Sequence, residues 1–329
     1  MTVAAVSGRT SVAAAWRATL RDRPIIPLIG LLAILVLAID VADPGIVTPG
    51  WAGVIARAAI PLAILAGCQT LTMLTGGIDL SVASIASMAG FVTATLLHSP
   101  GGLAQGIVVV LVAAALVGLV NGIGIGVFRV HPLITTLGMS FVVLGLSNVW
   151  QLQMVQTGSG VPPVLRTVGS GTFADVIPYS LVVFVPLAAV IMIGLRRTGY
   201  GRLLYAIGDN PAAARLSGVR SWQVLIVLYV ISAIMAAIAG LLISGLSNTA
   251  SVSLVDSSLL PSVAAAVIGG TSIFGGRGGF GGTMVGALIL TVLSALLTVL
   301  GMPEATNQVV FGAIIVVVAA AYTRVTSEA

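Results

Sequence analysis

The feature that most constrains this chain is a succession of apolar runs, each near the length of a lipid bilayer's hydrocarbon core. A helix needs about 20 mostly apolar residues to cross. Runs of that kind fall at 25–42, 52–75, 106–128, 132–151, 177–195, 224–245, 280–300 and 308–322, with shorter ones at 82–97 and 258–272. Only 7% of the 329 residues are charged, against roughly 25% in a soluble domain. Such a chain cannot clothe a globular surface in charge. The expected fold is an all-α polytopic membrane protein of about ten transmembrane helices, several of them short or broken at Pro, Gly or Asp. The run at 25–42 is too long for the apolar core of a cleaved signal, and no small-residue cleavage site precedes Asp43-Pro44.

All 14 basic residues are arginine, and the sequence has no lysine. That removes the phosphate-gripping lysine of a P-loop and any Schiff-base chemistry. The single Cys68 excludes an intrachain disulfide or a cysteine zinc cluster. His98 and His131 have no ligand neighbours at metal spacing. No nucleic-acid partner is implied by the excess of arginine, because arginines flank apolar runs and so report topology. With the N-terminus inside and ten crossings, 12 of the 14 arginines fall on the inner side. Arg57 and Arg166 remain for the outer half, where Asp43, Asp175, Asp256 and Glu304 also fall. The expected organisation is an N-terminal arm at 1–24, one membrane domain at 25–322 and a tail at 323–329, with both termini inside.

The longest inner loop, 196–222, carries a helix of its own. Asn210 is placed to cap it, Pro211 suits the first helical position, and Ala213, Ala214, Arg215 and Leu216 sustain it. Gly218 is placed to end it in the left-handed conformation. A short exposed helix between two spans suits docking of another protein. A solvated connector, or an anchor to anionic membrane lipid, remains open on the residues alone.

The run GDNPAAARLSGV, from Gly208 onward, resembles the cytoplasmic coupling loop of permease subunits in bacterial ABC importers. LTGGIDLSVASIASMAG at 74–90 is similar to the first signature of the ribose-type sugar permeases, and VAAAVIGGTSIFGGRGGFGGTMVGALI at 263–289 to their second. LVNGIGIGVFRVHPLITTLGM at 119–139 resembles a further stretch of that family. The resemblance implies a transmembrane subunit that translocates a monosaccharide by alternating access. It implies pairing with a second copy or a paralogue, an ATP-binding cassette subunit beneath, an extracytoplasmic sugar-binding protein, and a bacterial inner-membrane location. ATP and Mg would then belong to the partner, and this chain would bind no cofactor. More distant amino-acid permeases of the same superfamily share the pattern.

Several residues admit more than one reading. Asp79 can cap the helix that starts near Ser81, serve a gate or salt bridge, or contact sugar. Gly76 and Gly77 shape its turn, and Gly269, Gly270 and Arg277 belong to a second glycine segment that reads as re-entrant or as a tight turn. Stripes at Gly118, Gly122, Gly126 and at Gly278, Gly282, Gly286 suit close helix packing. Gln69, Asn121, Asn148, Gln151 and Asn248 are candidates for a polar pathway, with Asn148 and Gln151 near an outer mouth. Thr70, Thr72, Thr135, Ser140 and Ser244 could join it, although such hydroxyls commonly bond their own helix. Arg57 is expected to snorkel to headgroups. The chief rival function is an ion-coupled secondary transporter using Asp79 in a broken span. A hydrolase lacks a Ser–His pair or zinc motif, and a channel lacks a repeated filter or a ring of charge.

Overall fold

The computed structural model describes residues 25–98, 102–154 and 160–327. The expected N-terminal arm at 1–24 and the last two residues of the tail lie outside them. Described residues form α1 (Ile25–Ala42), α2 (Pro49–Met73), α3 (Val82–Thr95), α4 (Gly102–Gly126), α5 (Pro132–Met154) and α6 (Pro163–Ser170). A two-stranded antiparallel ribbon follows, β1 (Thr172–Phe173) with β2 (Ile177–Pro178). Then come α7 (Leu181–Arg197), α8 (Gly199–Asp209), α9 (Pro211–Leu216), α10 (Ser221–Ser247), α11 (Leu259–Ile268), α12 (Phe280–Val299) and α13 (Glu304–Ser327).

A helix occurs at each of the ten expected segments. Six of them, α1, α2, α4, α5, α10 and α12, are long and apolar enough to cross a membrane alone. The segment expected at 177–195 starts later, because Ile177 and Pro178 are in β2 and the helix begins at Leu181. It joins α8 across a 68° bend. Thr198 breaks the helix there, its hydroxyl accepting from the Gly201 amide at 3.1 Å as the cap of α8.

The core is built around α3. All of its residues are buried, yet its 14 residues reach only about 21 Å, short of a bilayer core of about 30 Å. The chain completes that layer with irregular backbone held inside protein, which is where such backbone is tolerated at membrane depth. Asp79 precedes α3 and is 1% exposed. On the other side Val255, also buried, donates its amide to Ser87 Oγ of α3 at 2.9 Å. Helices α2, α4, α5 and α10 surround α3, while α12 packs on α2 and α11. α1 lies outermost and leaves most of its residues exposed, as a lipid-facing helix does.

Small residues allow the closest crossings. A Cβ at Gly118, Gly122 or Gly126 would overlap the α10 backbone at Tyr229, Ile226 and Trp222. Gly282 and Gly286 meet Gly269 and Ala265 of the α11 segment in the same way. Gly278, expected in that second stripe, instead sits in the preceding loop with φ +134°.

Two ends of the bundle differ in charge. Close contacts join residues 74–77, 126–132, 208–209, 222 and 274–278 at one end. The arginines of these loops, Arg129, Arg196, Arg197, Arg202, Arg215, Arg220 and Arg277, share it. Residues 50–53, 165–176 and 245–246 meet at the other, with Arg57 and Arg166. Asp43, Asp175, Asp256 and Glu304 fall on segments running to that second end.

Candidate functional site

The arginine-rich end carries α9, and it forms as its residues dictate. Asn210 Oδ1 accepts from the amides of Ala212 at 3.1 Å and Ala213 at 3.0 Å, satisfying two orphan donors of the first turn. Pro211 stands at the first helical position. Gly218 adopts φ +82°, the left-handed conformation that lets the chain leave the helix. Pro211, Ala212, Ala213, Arg215 and Leu216 are exposed, with Leu216 at 90%. Ala214 points the other way and is buried against the bundle.

The residue that fastens this helix to the interior is Gly208. A Cβ there would overlap the Leu74 carbonyl at the end of α2 and the Gly276 amide of the second glycine loop. Those two groups are themselves bonded, Gly276 N donating to Leu74 O at 3.0 Å. Tyr205 of α8 adds a bond from its hydroxyl to the Gly278 carbonyl at 2.9 Å. The α8–α9 unit therefore touches both glycine segments at one point.

The first segment is locked by side chains. Gly76 takes φ +77° to turn the chain. Gln69 of α2 then clasps the Asp79 backbone from both sides, accepting its N–H at 3.2 Å and donating to its carbonyl at 2.8 Å. The Asp79 carboxylate accepts from Ser81 N at 3.0 Å, Ser81 Oγ at 2.6 Å and Ser232 Oγ of α10 at 3.2 Å. Asn121 of α4 donates to Ser81 Oγ at 2.9 Å. Three helices thus converge on the Asp79–Ser81 segment, and the bonded partners of its buried carboxylate are Ser81 and Ser232, with no arginine among them. Cys68, buried next to Gln69, donates its S–H to the Ser232 carbonyl at 3.3 Å. The second segment is backbone-built: Ser272 N donates to Arg277 O at 2.9 Å, and Gly270, Gly275, Gly276 and Gly278 all have positive φ. It is a tight turn, with Gly269 still in the right-handed region and Arg277 exposed.

The expected pathway residues do not come together. Gln69 and Asn121 are buried in the Asp79 network, whereas Asn148 and Gln151 lie exposed on α5, and Asn248 is an exposed left-handed residue ending α10. Thr72 and Thr135 bond their own helices. Thr70 does so too and also meets Thr283 of α12, oxygen to oxygen at 2.6 Å. Arg57 has a protein partner that the sequence does not announce: its guanidinium donates to the Ser170 carbonyl at the C-terminus of α6. Ser232 went unrecognised as a site residue; its only signal is a lone hydroxyl in a long apolar helix. Among the described residues no group of three or more His, Cys, Asp or Glu could hold a metal ion.

Comparison with known proteins places this architecture. The family described as the branched-chain amino acid transport system / permease component matches residues 52–319. The Ribose import permease protein RbsC of Escherichia coli (strain K12) is 32% identical over 96% of this chain and 97% of its own length. The Ribose import permease protein RbsC of Bacillus subtilis (strain 168) is 31% identical over 88% of this chain and 90% of its length. The Fructose import permease protein FrcC of Rhizobium meliloti is 33% identical over 78% and 73%. No solved structure matches. The chain belongs to this permease family, on its ribose-type sugar branch. It is a multi-pass membrane transporter subunit of the ABC-importer class and not an enzyme.

Proposed function

We propose that this chain is the membrane-spanning subunit of an ATP-driven importer in the bacterial inner membrane. It translocates a monosaccharide handed over by an extracytoplasmic binding protein, by alternating access. The ten helical segments cross or re-enter with both termini in the cytoplasm, so that the arginine-rich end faces inward as the positive-inside rule requires. Two such subunits, identical or paralogous, stand on a pair of ATP-binding cassette subunits. ATP and Mg are held there and not by this chain.

The observation that carries this reading is the α8–α9 unit. Its outward face offers Ala212, Ala213 and a nearly free Leu216, while its root at Gly208 is wedged between Leu74 and Gly276. A push on the exposed face therefore reaches α2 and the α11–α12 loop together, as a rigid displacement and not as a bend absorbed locally. Gly208, Asn210, Pro211, Ala213, Arg215, Leu216 and Gly218 form or support that docking face, with Ala214 seating it. Asp79 serves as a capping and turn-locking group, because its carboxylate is engaged by Ser81 and Ser232. This supports the importer over an ion-coupled carrier.

The test is Leu216→Asp. It places a charge on a solvent-facing atom set, so the subunit is expected to insert and fold while co-purification of its ATPase falls at least tenfold. Wild-type capture of the ATPase by that variant would sink the docking face. Transport that persists without the ATPase and collapses with an ion gradient would sink the importer itself.

A further inference from the structure

A cavity of about 500 Å³ opens at the arginine-rich end, between the α4–α5 connection, α9 and the start of α10. That volume is in the range of small-molecule sites. Three of its lining residues are Arg129, Arg215 and Arg220, each from a different element, and no acidic side chain is among the described residues that line it. His131 lines it as well. Its Nδ1 accepts from the Leu133 amide at 3.3 Å, so in the neutral ring the proton sits on Nε2 as a further donor.

The rest of the lining is largely apolar, with Ile125, Leu225 and the fully buried Tyr229 among it. The cationic side chains therefore set the choice of ligand, which must carry negative charge for the guanidinium groups and be small enough for a cavity of this volume.

We infer that this cavity is a binding site for a phosphate ester. A tetrahedral phosphate offers several acceptor oxygens to convergent donors, and guanidinium forks match it bidentately. Bound there, it bridges α9 through Arg215 to α10 through Arg220 and to the α4–α5 connection through Arg129, and so holds the coupling helix against the bundle. The phosphate comes either from a phosphorylated monosaccharide in solution or from the headgroup of an anionic phospholipid. Only this choice of sources rests on the reading that this end faces the cytoplasm.

The experiment uses the full chain in phosphatidylcholine nanodiscs, with no ATPase present, titrated calorimetrically with ribose 5-phosphate, inorganic phosphate and ribose. Ribose 5-phosphate and phosphate are expected to bind and ribose is not. Arg129→Gln and Arg220→Gln are each expected to weaken binding at least tenfold. A lipid source predicts instead that the free esters fail, while phosphatidylglycerol stays with the purified wild type and is lost from both arginine variants. If neither free ester nor phosphatidylglycerol is held, or if both are held equally by wild type and variants, the proposal is overturned. Such a failure leaves the importer reading untouched, because Leu216 does not line the cavity and the Leu216→Asp measurement reads ATPase capture and not anion binding. Arg129 and Arg220 are both exposed, so the two variants are expected to fold and to decide the matter.

Discussion

The two glycine segments that meet at Gly208 both contain paired glycines and are held in different ways. The segment before α3 is fixed by side chains from outside itself, with Gln69, Ser232 and Asn121 reaching in from three helices. The segment between α11 and α12 takes its shape from its own backbone, a Ser272–Arg277 turn whose glycines take conformations that other residues resist, and is tied to its surroundings through backbone groups, Gly276 to the Leu74 carbonyl and Gly278 to the Tyr205 hydroxyl. A turn pinned by three helices moves only when those helices move. A turn that holds its own shape moves as a unit with the two contacts, at Leu74 and Tyr205, that tie it to its neighbours. The difference divides the junction into an anchor and a lever, although both are built on paired glycines.

That contrast is open to measurement. The largest effect is expected at the shared contact: Gly208→Val drives a branched side chain into the Leu74 carbonyl and Gly276 amide. The overlap costs about 3 kcal/mol or more, and the variant is expected to fail to accumulate in the membrane. Accumulation at wild-type level would mean that the two segments do not share a rigid joint. Next comes Asp79→Ala, which strips the acceptor from Ser81 N, Ser81 Oγ and Ser232 Oγ. Each buried donor left alone costs about 1–3 kcal/mol, so a marked fall in the melting temperature of the purified subunit is expected. Asp79→Asn keeps an acceptor oxygen and should lose less; equal losses would argue that the charge and not the bonding matters. The smallest effect is expected at Gly270→Ala. Nothing lies within 4 Å of its added carbon, and only the φ of +87° is unfavourable, about 1 kcal/mol. Were Gly270→Ala to cost more than Asp79→Ala, the assignment of anchor and lever would be reversed.

How much of this was legible in the sequence follows from the range of each interaction. The cap at Asn210, the proline after it and the left-handed Gly218 act within nine residues, and all three read directly from the local order of residues. The ten helical segments were equally visible, because bilayer-length apolar runs are a property of the run itself. What failed depends on partners far along the chain. Arg57 and Ser170 are 113 residues apart, and no local pattern announces that bond. Asn148 and Gln151 escape placement for a different reason: the apolar period of α5 is weak, so its sequence gives no inner face. Short amphipathic pieces such as α6 and α8 were missed because neither resembles a span and both draw their order from the neighbours they cover.

The burial of Cys68 has a practical consequence. Its sulfur is enclosed between α2 and α10, and the chain has no other thiol. A maleimide dye or nitroxide spin label added to the intact subunit should therefore find nothing to react with. One cysteine introduced on α9 and another at the far end would make a reporter pair on an otherwise silent background. Distance changes between the two ends could then be followed through a transport cycle without first rebuilding the protein.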